Sequence, residues 1–191
     1  MIEKTKSITI SQSHFVGKII DLYSVPSSTA KYPMAEDFLT SSKTASDLPI
    51  LSLPLQTLFQ EKIGNSLYMA SHTRPDLLYA TTQLSRRSNK ANSKDMSAAD
   101  RLLRYIASTS DLGLTFSTHG HSSSLFTYVD SSYDCYSDSK SHSGVSLHLG
   151  QYSGAFLTLL KKQTITADSS TDAEFVATYS HVKRYFGHKN Y

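Results

Sequence analysis

Two carboxylates in the second half of the chain have the residue type and the setting for metal chemistry. Asp130 closes the strand-like run Leu-Phe-Thr-Tyr-Val-Asp, and Glu174 falls in the first turn of the helix signalled by SSTDAEFVA, residues 169 to 177. A carboxylate at a strand's C-terminal end facing one on a helix is a way to assemble oxygen ligands for a hard divalent cation. Each residue also has a plainer role. Aspartate is routine turn chemistry at a strand end, and Thr171 with Glu174 three residues on has the spacing of a capping box. Spacing alone leaves both roles open.

Other chemistry-bearing residues are weaker candidates. His119, His121 and Cys135 would need a fourth zinc ligand at an unconventional spacing, so they read as solvated loop residues. His142 and His148 share a strand face or flank a turn, and the sequence offers them no nucleophile partner. Lys161 and Lys162 sit at a strand end where they could touch phosphate or simply be solvated. No glycine-rich phosphate loop and no G-x-S-x-G element occurs.

The elements that must position these groups are strands followed by a helix. LGLTFS (112 to 117), SLFTYVD (124 to 130), SGVSLHLG (143 to 150) and GAFLTLL (154 to 160) are short β-branched and aromatic runs separated by Gly, Ser and Asp clusters. They are expected to be adjacent strands joined by hairpin-like turns. A helix is expected from Thr171 to about Phe186, with Phe175, Val176, Tyr179, Val182 and Phe186 packed on the sheet.

The first half reads as helical. Phe15, Ile19 and Tyr23 share one face over residues 11 to 23. Pro26, Pro33, Pro49 and Pro54, among ten serines and threonines, make residues 24 to 54 a flexible linker. Leu55, Leu58, Phe59, Ile63, Leu67 and Ala70 keep the spacing of a core face, and Pro75 opens a further helix carrying Leu77, Leu78 and Leu84. A third helix runs from Lys94 to Ser108, capped by Ser93, with Met96, Ala99, Leu102, Leu103 and Ile106 as its buried stripe.

Composition sets the broad class. An apolar fraction of 39% with 18% charged residues is ordinary for a chain that buries a core. No apolar run reaches the length of a membrane span or a signal peptide, so no membrane partner is expected. Cys135 is the only cysteine, which excludes a disulfide within the chain. The net charge of +3 is unevenly distributed: between Arg74 and Ile106 seven basic residues face three acids, a local +4 against −1 for the remainder. Arg86, Arg87, Lys90, Arg101 and Arg104 lie in that stretch, and a field of this sign suits a phosphate backbone.

Six segments then carry a family resemblance in collinear order: ITISQSHFVGKIIDLYSVPSSTAKYPM, LYMASHTRPDLLYATTQLSRR, AADRLLRYIASTSDLGLTFS, TYVDSSYD, SHSGVSLHLG and LKKQTITADSSTDAEFVA. Together they resemble the Pol polyprotein of copia-type LTR retrotransposons over nearly all 191 residues. The resemblance implies an α+β chain. Residues 1 to 116 would be a thumb-like and connecting helical region downstream of the reverse-transcriptase palm, and residues 117 to 191 a truncated ribonuclease H-like sheet with one helix. No Tyr-x-Asp-Asp sequence is present, so polymerisation is not expected of this chain.

In the family, Asp130 and Glu174 match metal-site acids of the ribonuclease H domain. The reaction implied is hydrolysis of the RNA strand of an RNA:DNA hybrid by two Mg2+ ions, with Arg86, Arg87, Lys90, Arg101, Arg104, Lys161 and Lys162 as nucleic-acid contacts. The family supplies a third aspartate from a later strand. HVKRYFGHKNY after Ser180 contains no acid, and Asp134, Asp138 and Asp172 are poor substitutes. Asp130 is followed by Ser-Ser-Tyr where the family usually has a second acid and a tryptophan. The expectation is therefore a Pol fragment inactive alone, working with the rest of the polyprotein in cytoplasmic virus-like particles and the nucleus. The alternatives are a non-catalytic nucleic-acid-binding module and a residual metal-dependent nuclease.

Overall fold

The structure is a computed structural model that describes residues 6–38, 48–117, 124–133 and 140–185, with side chains through Lys183. The chain is α+β. In order it forms β1 (Ser7–Ser11), α1 (Ser13–Tyr23), α2 (Leu53–His72), a 3-10 turn (Pro75–Leu77), α3 (Leu78–Ser85), α4 (Ser93–Ser108), β2 (Gly113–Ser117), β3 (Leu125–Ser132), β4 (Lys140–Leu149), β5 (Ala155–Thr166) and α5 (Ser170–Tyr185). These residues divide into two compact units: Thr9–Leu114, and a second made of Thr115 onward with the N-terminal residues through Ile8.

Unit Thr9–Leu114 is a helical cluster whose core draws on all four helices: Ile19, Phe59, Ile63, Leu84, Leu102 and Ile106 are at most 3% exposed. Full burial of a side chain such as Phe59 stabilises by roughly 1.5–3 kcal/mol. The buried face of α2 runs through Phe59, Lys62, Ile63, Ser66, Met69 and Ala70, while Leu55 and Leu67 are exposed. The spacing of the leucines therefore marks a stripe rotated from the one that is covered.

α4 begins one residue earlier than the sequence suggests. Its cap is Asn92, not Ser93: the Asn92 side chain accepts from the Lys94 and Asp95 amides, and Asp95 accepts from the Asn92 amide at 2.9 Å. Both arms of a capping box are thus closed. The stretch before α2 is partly anchored. Ala30 and Phe38 are buried and the Leu51 amide donates to the Ala91 carbonyl at 2.8 Å, whereas residues 39 to 47 lie outside the described residues.

A buried cation ties the 3-10 turn to the end of α4. Arg74, 2% exposed, forks onto Asp76 (Nε to Oδ1 3.0 Å, Nη2 to Oδ2 2.8 Å) and donates to the carbonyl and hydroxyl of Thr109 at 2.8 and 2.7 Å. The Tyr105 hydroxyl donates to the same carboxylate. Burial and the Asp76 charge both raise the Tyr105 pKa above its usual value. All these donors are matched, which is the condition under which a buried charge is tolerated.

β2 does not continue into the sheet of β3 as expected; it pairs with β1, a strand without a clear signal in the sequence. Glycine is required at position 113 because a Cβ there would run into the Ile10 carbonyl. In the second unit β3, β4 and β5 form an antiparallel meander with β4 central, in the register Val129↔Val145↔Leu159. Gly150, with φ of 89°, makes the turn toward β5.

α5 packs on this sheet through Ala173, Ala177 and His181, which are 0%, 1% and 4% exposed. Phe175, Tyr179 and Val182, expected to be the packed face, are 71%, 57% and 48% exposed. Small residues bring the helix close to the sheet, and a cavity of about 220 Å³ remains between them, walled by Val145, Leu159, Gln163, Val176, Ala177 and His181.

Candidate functional site

Two overlapping cap patterns compete at the start of α5, and Ser169-x-x-Asp172 prevails over Thr171-x-x-Glu174. The Ser169 hydroxyl accepts from the Asp172 amide at 3.1 Å and donates to the Asp172 carboxylate at 2.8 Å. Glu174 is thereby released from the capping role that its spacing from Thr171 suggests. Its carboxylate instead crosses to the sheet, where Oε1 accepts from the Ser131 amide at 3.3 Å.

That bond brings Glu174 to the peptide beside Asp130, at the outer edge of β3. Tyr133 donates to the Asp168 carbonyl at 3.2 Å and ties the end of β3 to the turn that launches α5. On the far side, Gln163 of β5 donates to the Ala173 carbonyl at 2.8 Å and to Ser143 Oγ at 3.0 Å, fixing the first turn of α5 over the sheet. Gln163 is a positioning residue that no sequence pattern singles out, because only its buried place under a helix gives it a role.

Asp130 pairs with Gly144, and Ser131 with Ser143. Because side chains alternate across a strand, Ser131 and Ser143 face α5 while Asp130 projects from the other face. Both carboxylate residues are exposed. Asp172 is held by Ser169, and Asp134, Asp138, His119, His121 and Cys135 lie outside the described residues. Among the described residues no group of three His, Cys, Asp or Glu side chains comes together to hold a metal. The donor set thus has the oxygen chemistry Mg2+ prefers but falls short of the several carboxylates on rigid elements that a two-ion centre requires.

The basic residues divide between the units. Arg86, Lys90 and Lys94 are exposed, and Arg101 and Arg104 are half-buried on α4. Arg87 is committed to the fold, its Nε 2.5 Å from the carboxylate of Asp95, a residue 1% exposed. Lys161 is exposed and Lys162 half-buried on β5 of the other unit. His148 departs from expectation: its ring does meet a serine, Ser146, two residues away on β4.

No family model matches the chain, and no solved structure matches it. Among curated proteins, the retrovirus-related Pol polyprotein from transposon RE2 of Arabidopsis thaliana is 34% identical over 148 residues, 77% of this chain and 10% of that protein. The putative transposon Ty5-1 protein of Saccharomyces cerevisiae is 25% identical over 179 residues, 88% of this chain and 53% of that protein. A protein named secreted RxLR effector protein 161, from Plasmopara viticola, is 34% identical over 116 residues, 60% of this chain and 80% of that protein. The chain thus spans about a tenth of the RE2 polyprotein.

Proposed function

The chain belongs to the retrotransposon Pol polyprotein family, and we propose that it is the segment in which the end of the reverse transcriptase passes into a ribonuclease H-like domain, engaging RNA:DNA hybrid without cutting it alone. The observation that carries this reading is the hydrogen bond from the Ser131 amide to Glu174, which brings a helix carboxylate to the strand end bearing Asp130. Mg2+ held there would supply an activated water and a stabilised leaving oxygen. Glu174 would be one of its ligands, and because Asp130 projects from the opposite face of β3, further acids from elsewhere in a Pol polyprotein would have to complete the set.

Cleavage of a labelled RNA:DNA hybrid in Mg2+ tests the proposal. The full chain should cut no faster than its Asp130→Asn and Glu174→Gln variants. Metal-dependent cutting by the wild type that Glu174→Gln removes would refute inactivity and establish a residual nuclease.

A second reading, nucleic-acid binding without chemistry, draws support from the basic side chains of unit Thr9–Leu114. Arg86, Lys90 and Lys94 reach solvent, and Arg101 and Arg104 share the α4 flank. The two readings are compatible, since a hybrid held by its phosphates requires no reaction.

A further inference from the structure

The sheet face opposite α5 holds a second arrangement, independent of the carboxylates. Ser146 and His148 are two residues apart on β4, so the pleat puts both side chains on one face. His148 Nδ1 lies 2.7 Å from the Ser153 carbonyl oxygen, and Nε2 meets Ser146 Oγ. A carbonyl oxygen can only accept, so Nδ1 must carry the proton in the neutral ring and Nε2 must present its lone pair. The Ser146 hydroxyl proton is then directed at a base whose tautomer is fixed by a third group.

The surroundings hold that geometry. The turn after β4 positions the Ser153 carbonyl: the Ser153 amide donates to the Gly150 carbonyl at 3.3 Å, and the Gly154 amide to the Thr115 carbonyl at 2.7 Å. Tyr128, directly across from Ser146 on β3, sets its ring edge-on to the imidazole with centroids 5.2 Å apart. Ser146 and His148 are half-buried and Tyr128 is 51% exposed, so the serine is reachable from solvent beside the Tyr128 ring.

Nucleophile, base and orienting acceptor in hydrogen-bonded sequence are the signature of an activated serine. We propose that Ser146 is such a nucleophile, with His148 as its general base, and that it accepts the acyl or phosphonyl group of an activated ester or fluorophosphonate. Ser146 Oγ forms the new bond to carbon or phosphorus while His148 Nε2 takes its proton. The bond to the leaving aryloxide or fluoride breaks, and the imidazolium returns the proton to that group or to water. β4 is the central strand, with its backbone paired to β3 and β5. It therefore offers no free pair of amides to an oxyanion, and the adduct should accumulate stoichiometrically with little turnover.

Intact-mass and peptide-level analysis of the full chain treated with a fluorophosphonate probe tests this. One adduct per native chain is expected, on Ser146, with none on urea-unfolded chain or on Ser146→Ala. His148→Phe, which keeps a ring against Tyr128, should slow labelling at least about 100-fold. Circular dichroism of both variants monitors folding, and the site of the wild-type adduct decides the matter without them. No adduct on the native chain, an adduct on another serine, or equal labelling of native and unfolded chain would overturn the proposal.

Discussion

Arg74 concentrates more of the helical unit's stability than any single surface charge, because its guanidinium is buried and every partner is specific. Removing it strands Asp76 and frees the Thr109 carbonyl at the end of α4. Arg74→Ala should therefore lower the unfolding free energy by about 3 kcal/mol, the low end for a broken buried pair since Asp76 keeps some solvent. Arg74→Lys should recover little, because an ammonium cannot supply the fork. Urea denaturation followed by circular dichroism measures both. His181 contributes in the opposite electrostatic sense. Burial against the sheet holds its pKa below the ordinary 6.5, so the unfolded chain binds more protons than the folded one just below that pH. The associated stability is complete above about pH 6.5 and is lost as the pH falls through the folded value. Urea midpoints at about pH 7.5 and about pH 5.5 should show the drop, and His181→Gln should flatten it.

At the scale of elements, α5 shows what a sequence discloses and what it withholds. Its existence follows from the helical period, as does that of α1 and α4, while the strands follow from β-branched and aromatic runs bounded by turn residues. The helix, however, carries two apolar stripes, one of large residues (Phe175, Tyr179, Val182) and one of small (Ala173, Ala177), and period cannot say which is covered. Size favours the first; close approach to the sheet selects the second. Phe175→Ser should accordingly change stability by less than about 0.5 kcal/mol, as at any exposed position. Ala177→Val should raise it by up to about 1 kcal/mol by filling part of the cavity beneath the helix. Thermal melts of the two variants distinguish this packing from the reverse. Two further details are illegible in the sequence for a related reason. The competing caps at Ser169 and Thr171 differ only in register, and the Ser146–His148 pair acquires its meaning from a carbonyl that the Gly150 turn brings back to β4.

At the scale of the whole molecule, kinship and charge point the same way. The RE2 polyprotein and the Ty5-1 protein that the chain resembles are transposon proteins, and the basic residues cluster between Arg74 and Ile106. Replacing Arg86, Arg101 and Arg104 with serine should weaken hybrid binding whatever its base sequence, and should reduce the slope of log affinity against log salt by about one for each phosphate left unneutralised. Fluorescence anisotropy across a salt series reads this, and an unchanged slope would remove these residues from the interface. Arg87 is left out because its loss would strand the buried Asp95 carboxylate and test folding instead.

The central claim is that Glu174 reaches the strand end of Asp130 while the pair alone makes no working metal centre. Titration of isotopically labelled full chain with Mn2+, followed by amide NMR, tests it most directly. The account predicts line broadening centred on Ser131 that needs millimolar metal and disappears in Glu174→Gln. Saturation at micromolar Mn2+, or broadening centred elsewhere and indifferent to Glu174, would contradict it.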